Sequence, residues 1–269
     1  MKTIVTLVVA TILFALTPSC IIANEYSVAD NYDTTKFVTR TFNLSDFNGI
    51  SCDGVAHITY KQADNYSIVA KSSEEILNKT TITVEKNTLK IDQNNIKLKK
   101  QTPIFIEITT PQLNNIDIEG VTTFKSEIIN TTDNFDIEVE GVGHIDIKRI
   151  VCASANVDVS GTCKLYGAIN ATDNVKLDID GVATSEVDIE ARSLDLDGGG
   201  VSNIKANFKG ETAKVECDGV CKIVLTTDCK QLKATNGGVS KLTLKGIAEQ
   251  TNISSSGVAT VDTKELNKF

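Results

Sequence analysis

Carboxylates recur in this chain at a spacing that could hold a metal. Asp117, Glu138, Asp158, Asp178, Asp197 and Glu216 follow one another at intervals of 19 to 21 residues, and Glu119, Glu140, Asp180 and Asp218 stand two residues after four of them. If equivalent positions stack about 4.8 Å apart, as strands do, ten carboxylates line six layers of one outward ribbon. Hard oxygen ligands on a rigid lattice are what Ca²⁺ takes, so the ribbon is a candidate calcium ladder, and calcium is the only cofactor implied. The same ribbon also reads as a solvated face or as a dock for a polycation. Neighbouring charges then repel by about 1 kcal/mol in water and several times that at an effective dielectric near 20. Salt and the lysines beyond, Lys164, Lys222 and Lys241, would relieve that repulsion.

Other reactive groups offer less. The arginines are Arg40, Arg149 and Arg192, and neither His57 nor His144 has a Ser or Asp partner in register. Paired carboxylates could act as acid and base on a polysaccharide, yet Tyr166 is the only tyrosine after Tyr66 that could stack on a sugar. Six cysteines follow Cys20: Cys52, Cys152, Cys163, Cys217, Cys221 and Cys229. Cys152 and Cys229 fall in one repeat column four turns apart, and Cys163 and Cys221 in another three turns apart, beyond the roughly 7 Å that a disulfide spans. Cys217 and Cys221 flank a single corner and could pair. Otherwise these thiols read as small buried hydrophobes, and no histidine joins them to complete a tetrahedral zinc site.

The elements that must position these groups follow from a glycine phrase. Gly120, Gly141, Gly161, Gly181, Gly200, Gly219, Gly238 and Gly257 are each followed by Val, except for Thr162. Such a period marks stacked units. Two and four residues before each glycine the column is mostly aliphatic (Ile116 and Ile118, Val157 and Val159), while the residue between is acidic in the first six turns. Four residues after stand Phe124, Ile145, Leu165, Ile204, Ile223, Leu242 and Val261. A period of two rich in β-branched residues predicts strands, and about twenty residues are too few for a helix pair. The fold class predicted is all-β: a right-handed parallel β-helix, a solenoid of about 20-residue turns with glycine at each corner and an N-terminal β cap.

In chain order, Lys2, the apolar run Ile4 to Leu16 and a small residue at Ala23 predict a signal peptide over residues 1–23. A lipidated Cys20 is the other processing reading, and the run is short of the roughly 20 residues that a membrane span needs. Residues 24–37 are polar and aperiodic, the composition of a mobile arm. Residues 38–112 carry strand-like runs, a helix capped by Ser73, and one early corner at Gly54; they read as a first turn plus the cap that a solenoid end requires. Residues 113–269 are the repeats. Net charge is −8, which repels phosphates and argues against nucleic acid as a partner.

The order Phe47, Gly49-Ile50, Gly54-Val55, His57 to Gln62, Leu89-Lys90-Ile91 and Ile106 to Leu113, followed by glycine-marked repeats, resembles the putative auto-transporter adhesin, head GIN domain family. The resemblance covers residues 38–262 and implies an exported bacterial β-helix with an adhesin role and no catalytic residues to carry over. Family corners usually read Gly-Ser-Gly, whereas here they mostly read Asp-Gly-Val or Glu-Gly-Val. The function expected is an exported, non-enzymatic surface or periplasmic module that binds an extracellular or envelope ligand, glycan or protein, with no transmembrane span after processing. The alternative is a carbohydrate-active β-helix enzyme, a polysaccharide lyase or hydrolase.

Overall fold

In the computed structural model, which describes residues 34–93 and 102–268, one turn of the coil can be followed from Phe135 to Cys152. Strand β10 (Phe135–Val139) buries Phe135, Ile137 and Val139 and turns Asp136 and Glu138 to solvent. The chain rounds a corner at Gly141, and β11 (Val142–Cys152) resumes the alternation with Gly143, Ile145 and Ile147 inside. Lys148 and Arg149 are both exposed, so the period of two slips there and Ile150 and Cys152 return to the core. A short strand, a glycine corner and a long strand thus make the unit, and the sequence period of two sets which side chains go in.

Stacking repeats the unit. The short strands β8 (Asn115–Ile118), β10, β12 (Ala155–Val159), β14 (Asn174–Ile179), β16 (Ser193–Gly198) and β18 (Thr212–Cys217) pair in parallel, each with the next. The long strands β9 (Val121–Asn130), β11, β13 (Thr162–Ala171), β15 (Val182–Glu190) and β17 (Val201–Lys209) do the same. Towards the end a long strand fuses with the short strand after it, giving β19 (Val220–Asn236) and β20 (Lys241–Ser255), and β21 (Thr260–Lys268) closes the stack. The repeat shortens from 21 to 19 residues mostly in the links: β9 to β10 takes four residues and β11 to β12 takes two. A residue removed inside a strand would flip every side chain beyond it. These ladders are irregular at two places, the slip after Ile147 and a register shift between Thr243 and Lys245 where β20 meets β21.

The N-terminal part does not stack in chain order. Strands β2 (Gly49–Asp53) and β3 (Val55–Gln62) form a coil turn against β8 and β9, as the early corner at Gly54 implies. The later strands β6 (Thr88–Asp92) and β7 (Ile104–Thr110) lie on the far side of that turn, also parallel to it. Antiparallel strands then cover the outermost layer: β5 (Thr81–Glu85) on β6, β4 (Ser67–Ser73) on β7, and β1 (Phe37–Phe42) on β4. Helix α1 (Glu74–Lys79) starts at Ser73, whose side chain accepts from the Ile76 amide, and buries Ile76 and Leu77. At the first corner the Gln93 side chain accepts from the Val55 amide at 2.8 Å, the role taken by a glycine carbonyl in the turns below. Of the expected arm, Thr34–Lys36 form one 3-10 turn and Phe37 opens β1. The expected signal peptide and Cys20 lie outside the described residues.

The core is one continuous aliphatic column with Phe47, Tyr60, Phe124 and Phe135 among its largest fully buried members. It thins at the last turn, where Ser255 is exposed and Ile253 and Val261 are half-buried.

Candidate functional site

The acidic column forms as the spacing requires. Asp117, Glu138, Asp158, Asp178, Asp197 and Glu216 are consecutive Cα partners down the short strands. Thr235 is the next partner and ends the run of charge. Glu119, Glu140, Asp180 and Asp218 stand exposed at the corner beside them. Partial burial and then neighbouring carboxylates raise the acid of Glu119 and Glu138 above the ordinary range, and the same causes raise Asp197. The charges stack in line rather than converge: among the described residues, no three His, Cys, Asp or Glu side chains form a metal-holding group.

The cations that relieve this column are not those beyond the corner. Lys176 pairs with Asp178 at 3.2 Å, and Lys214 reaches Asp195 at 3.3 Å and Glu216 at 3.4 Å, each from two residues up its own strand or from the adjacent rung. Lys164, Lys222 and Lys241 make no such pair among the described residues and stand in another column, on the long strands. The reason is the corner itself, which turns the two columns away from one another. His57 and His144 share that second column, with Thr123 between them. His57 stacks on Phe105 with ring centroids 5.0 Å apart, and His144 lies against Tyr166. Burial, followed by the Lys125 charge, lowers both imidazoles, so both are neutral at pH 7.

A shallow groove of about 500 Å³ crosses the far half of the long strands, floored by Arg149, Asn170, Asp188, Glu190, Asn207 and Lys209. Its polar groups are ordered by the rungs. Asn207 Nδ2 donates to Asp188 Oδ1 at 2.6 Å, and Asn170 Nδ2 donates to Glu190 Oε2 at 3.2 Å. Amides, carboxylates and a guanidinium on a flat lattice offer alternating donors and acceptors to a hydroxyl-rich or peptide ligand. The other arginines are engaged elsewhere, Arg40 with Leu77 O and Asn78, and Arg192 with Asp173. This groove escaped the sequence reading because Asn170 and Asn207 lie outside the glycine phrase; their rung spacing from Glu190 and Asp188 was the available signal.

All six described cysteines are buried free thiols. Register holds Cys163 and Cys221 three rungs apart, through Ala183 and Ser202. Burial pushes Cys163 up to about 12 and Cys52 to about 11, which keeps them protonated and inert. Cys217 and Cys221 meet inside the Gly219 corner, and that contact together with burial raises Cys217. The Ser202 and Thr227 hydroxyls are buried without a well-formed hydrogen bond; Ser202 interacts with the Cys221 thiol and Thr227 with that of Cys229.

Comparison with known proteins yields a family and a shared fold. The family model described as "Putative auto-transporter adhesin, head GIN domain" matches residues 46–194 and 189–268. The chain belongs to this family. Its head GIN domain is similar to the crystal structure of a "putative adhesin" from Bacteroides fragilis, 26% identical with a TM-score of 0.58, covering 84% of this chain and 96% of the other. A "putative adhesin" from Parabacteroides distasonis is 20% identical with a TM-score of 0.69 (84% and 97% covered). A "putative lipid binding protein" from the same species is 17% identical with a TM-score of 0.66 (87% and 97% covered). The last two likenesses are of fold. No curated protein matches the chain. Among the described residues no helix is long and apolar enough to cross a membrane.

Proposed function

We propose that this head GIN domain is an exported, non-enzymatic binding module that holds an extracellular or envelope ligand along the groove on its long strands. The observation that carries this reading is the ordered floor of that groove, where Asp188 and Asn207, and Asn170 and Glu190, bond across rungs on a rigid lattice. Family membership and the similarity to adhesins support it. An open groove binds by complementarity along its length rather than by enclosing a small molecule, which suits a chain-like glycan or an extended peptide. The test pairs a glycan and matrix-protein array with a depolymerisation screen on acidic polysaccharides. Wild-type protein should bind a ligand on the array, and Asp188→Ala with Asn207→Ala should reduce that binding at least about tenfold, some 1.4 kcal/mol, with the melting temperature little changed. Chain cleavage in the screen would refute the non-enzymatic reading; undiminished binding by the variant would refute the groove.

A further inference from the structure

The residue after each corner glycine, from Val121 to Val258, points away from the core. Val121 is 48% exposed, Val201 56% and Val258 79%, and Thr162 takes the place once. Register joins them into one ridge: Val55, Val121, Val142, Thr162, Val182 and Val201 are successive Cα partners, and Val201 leads on to Val220. The Val239 and Val258 amides bond to the Gly219 and Gly238 carbonyls just as the Val201 amide bonds to Gly181. Nine rows about 4.8 Å apart make an apolar line about 38 Å long. Apolar surface gathered in one continuous strip, rather than scattered singly, marks a contact surface.

The ridge is also a charge boundary. Before the glycine, the two nearest outward columns hold carboxylates such as Glu119, Glu138, Asp178 and Asp218 and not one Lys, Arg or His. After it, the nearest outward column beyond the valines holds His57, His144, Lys164, Lys222 and Lys241 among Thr and Asn, and no carboxylate.

We propose that this ridge is the interface between two copies of the chain, side by side and parallel about a two-fold axis that runs along the coil. The charge boundary selects that axis. A two-fold along the coil carries the acidic flank of one copy onto the lysine flank of the other, so that Asp218 of one copy faces Lys222 of its mate in the same row. A two-fold perpendicular to the coil sets acid against acid and lysine against lysine, which costs where the first arrangement gains. The interface is isologous and closes at two copies. From the outer acidic column to the lysine column is about 20 Å of strand. Along the 38 Å ridge that strip would be about 760 Å² if flat, and the corner bends its flanks back, so the contact is smaller than the roughly 800 Å² per partner of a standard interface and the association is weak and concentration-dependent.

Sedimentation velocity and light scattering across about 1 to 100 µM test the association, and the expected species is a dimer that weakens in high salt. Val182→Thr, Val201→Thr and Val220→Thr together should raise the dissociation constant at least about tenfold, with circular dichroism and melting unchanged because Thr162 already occupies the ridge. Orientation is read from single cysteines, since the native thiols described are buried. In the parallel dimer Val121→Cys and Val239→Cys each crosslink to themselves. In the antiparallel one they crosslink only when mixed. A monomer throughout the range, a dimer indifferent to the threonines, or crosslinks only in the mixture would each overturn the proposal. So would a monomer whose ridge carries it onto zwitterionic lipid vesicles, which would assign the strip to an acyl surface instead.

Discussion

Adding a single methyl group at Gly181 should unsettle the middle of the stack. A Cβ built there would sit 1.8 Å from Gly161 O, 2.8 Å from Gly161 C and 3.0 Å from Ser160 O. The carbonyl would have to retreat by more than about 1 Å to reach an ordinary contact distance. Gly161 O is also the acceptor of the Val182 amide at 3.0 Å, and a retreat of that size carries it beyond hydrogen-bond range. One ladder bond lost at a semi-buried corner costs about 1 to 3 kcal/mol, and backbone strain in the turn above adds about 1 kcal/mol more. Gly181→Ala is therefore expected to cost about 3 kcal/mol. At about 2 to 4 °C per kcal/mol for a domain of this size, melting should fall by roughly 6 to 12 °C. Gly219 fails for another reason: its φ is +81° and the nearest atom to an added Cβ is 2.9 Å away, so Gly219→Ala pays chiefly for the left-handed backbone, about 1 to 2 kcal/mol. Thr184→Val, at an exposed strand position in the turn of Gly181, should stay within about 0.5 kcal/mol. Thermal melts by circular dichroism and urea midpoints give the order Gly181→Ala below Gly219→Ala below Thr184→Val. Equal melting of Gly181→Ala and Thr184→Val would refute the close-packed corner.

The acid limb of the stability curve combines two opposite contributions: His57 and His144, lowered in the fold, cost stability as pH falls through about 6.5, whereas the crowded acids restore it at lower pH. Glu119, Glu138 and Asp197 have folded pKa values above their unfolded ones, so the native chain holds more protons; that penalty fades through the raised values and is gone below about pH 4. Glu211 is lowered by its bond to Lys230, and its contribution is lost below the ordinary carboxylate range; in a His57→Gln, His144→Gln background urea midpoints should therefore rise as pH falls from about 7 toward that range, and a steady decline there would contradict the crowded column. Melting in calcium, magnesium and chelator at matched ionic strength should coincide, because the carboxylates stack without converging; a calcium-specific rise lost in Asp178→Asn would instead assign the metal ladder. In protein lacking Cys20, thiol titration should find few reactive groups in the native state and about six after denaturation without reductant, as buried single thiols require; a mass deficit of one disulfide would show that Cys217 and Cys221 had closed.

The sequence alone determines the coil, because a period of two sorts side chains into core and solvent wherever strands form, and the glycine phrase repeats at the length of one turn. Asp117 through Glu216 could be placed in a single column, and Cys163 and Cys221 separated by three rungs, on spacing alone, since each rung is fixed by backbone pairing. What spacing cannot convey is direction around a corner and order along the stack. Whether Lys222 or Lys214 reaches Glu216 depends on which face each leaves the corner on. The valines after the glycines are hydrophobic in any sequence scale, and only the folded corner turns them out to water. Strands β6 and β7 follow β2 and β3 in the chain yet lie outside them, because the antiparallel cap carries the chain back over its own first turn, a choice made by long-range packing that no local pattern encodes. The groove at Asn170, Asp188, Glu190 and Asn207 likewise exists only once three rungs are stacked. Each of those side chains is an ordinary strand residue in its own turn, and tertiary pairing alone makes them neighbours.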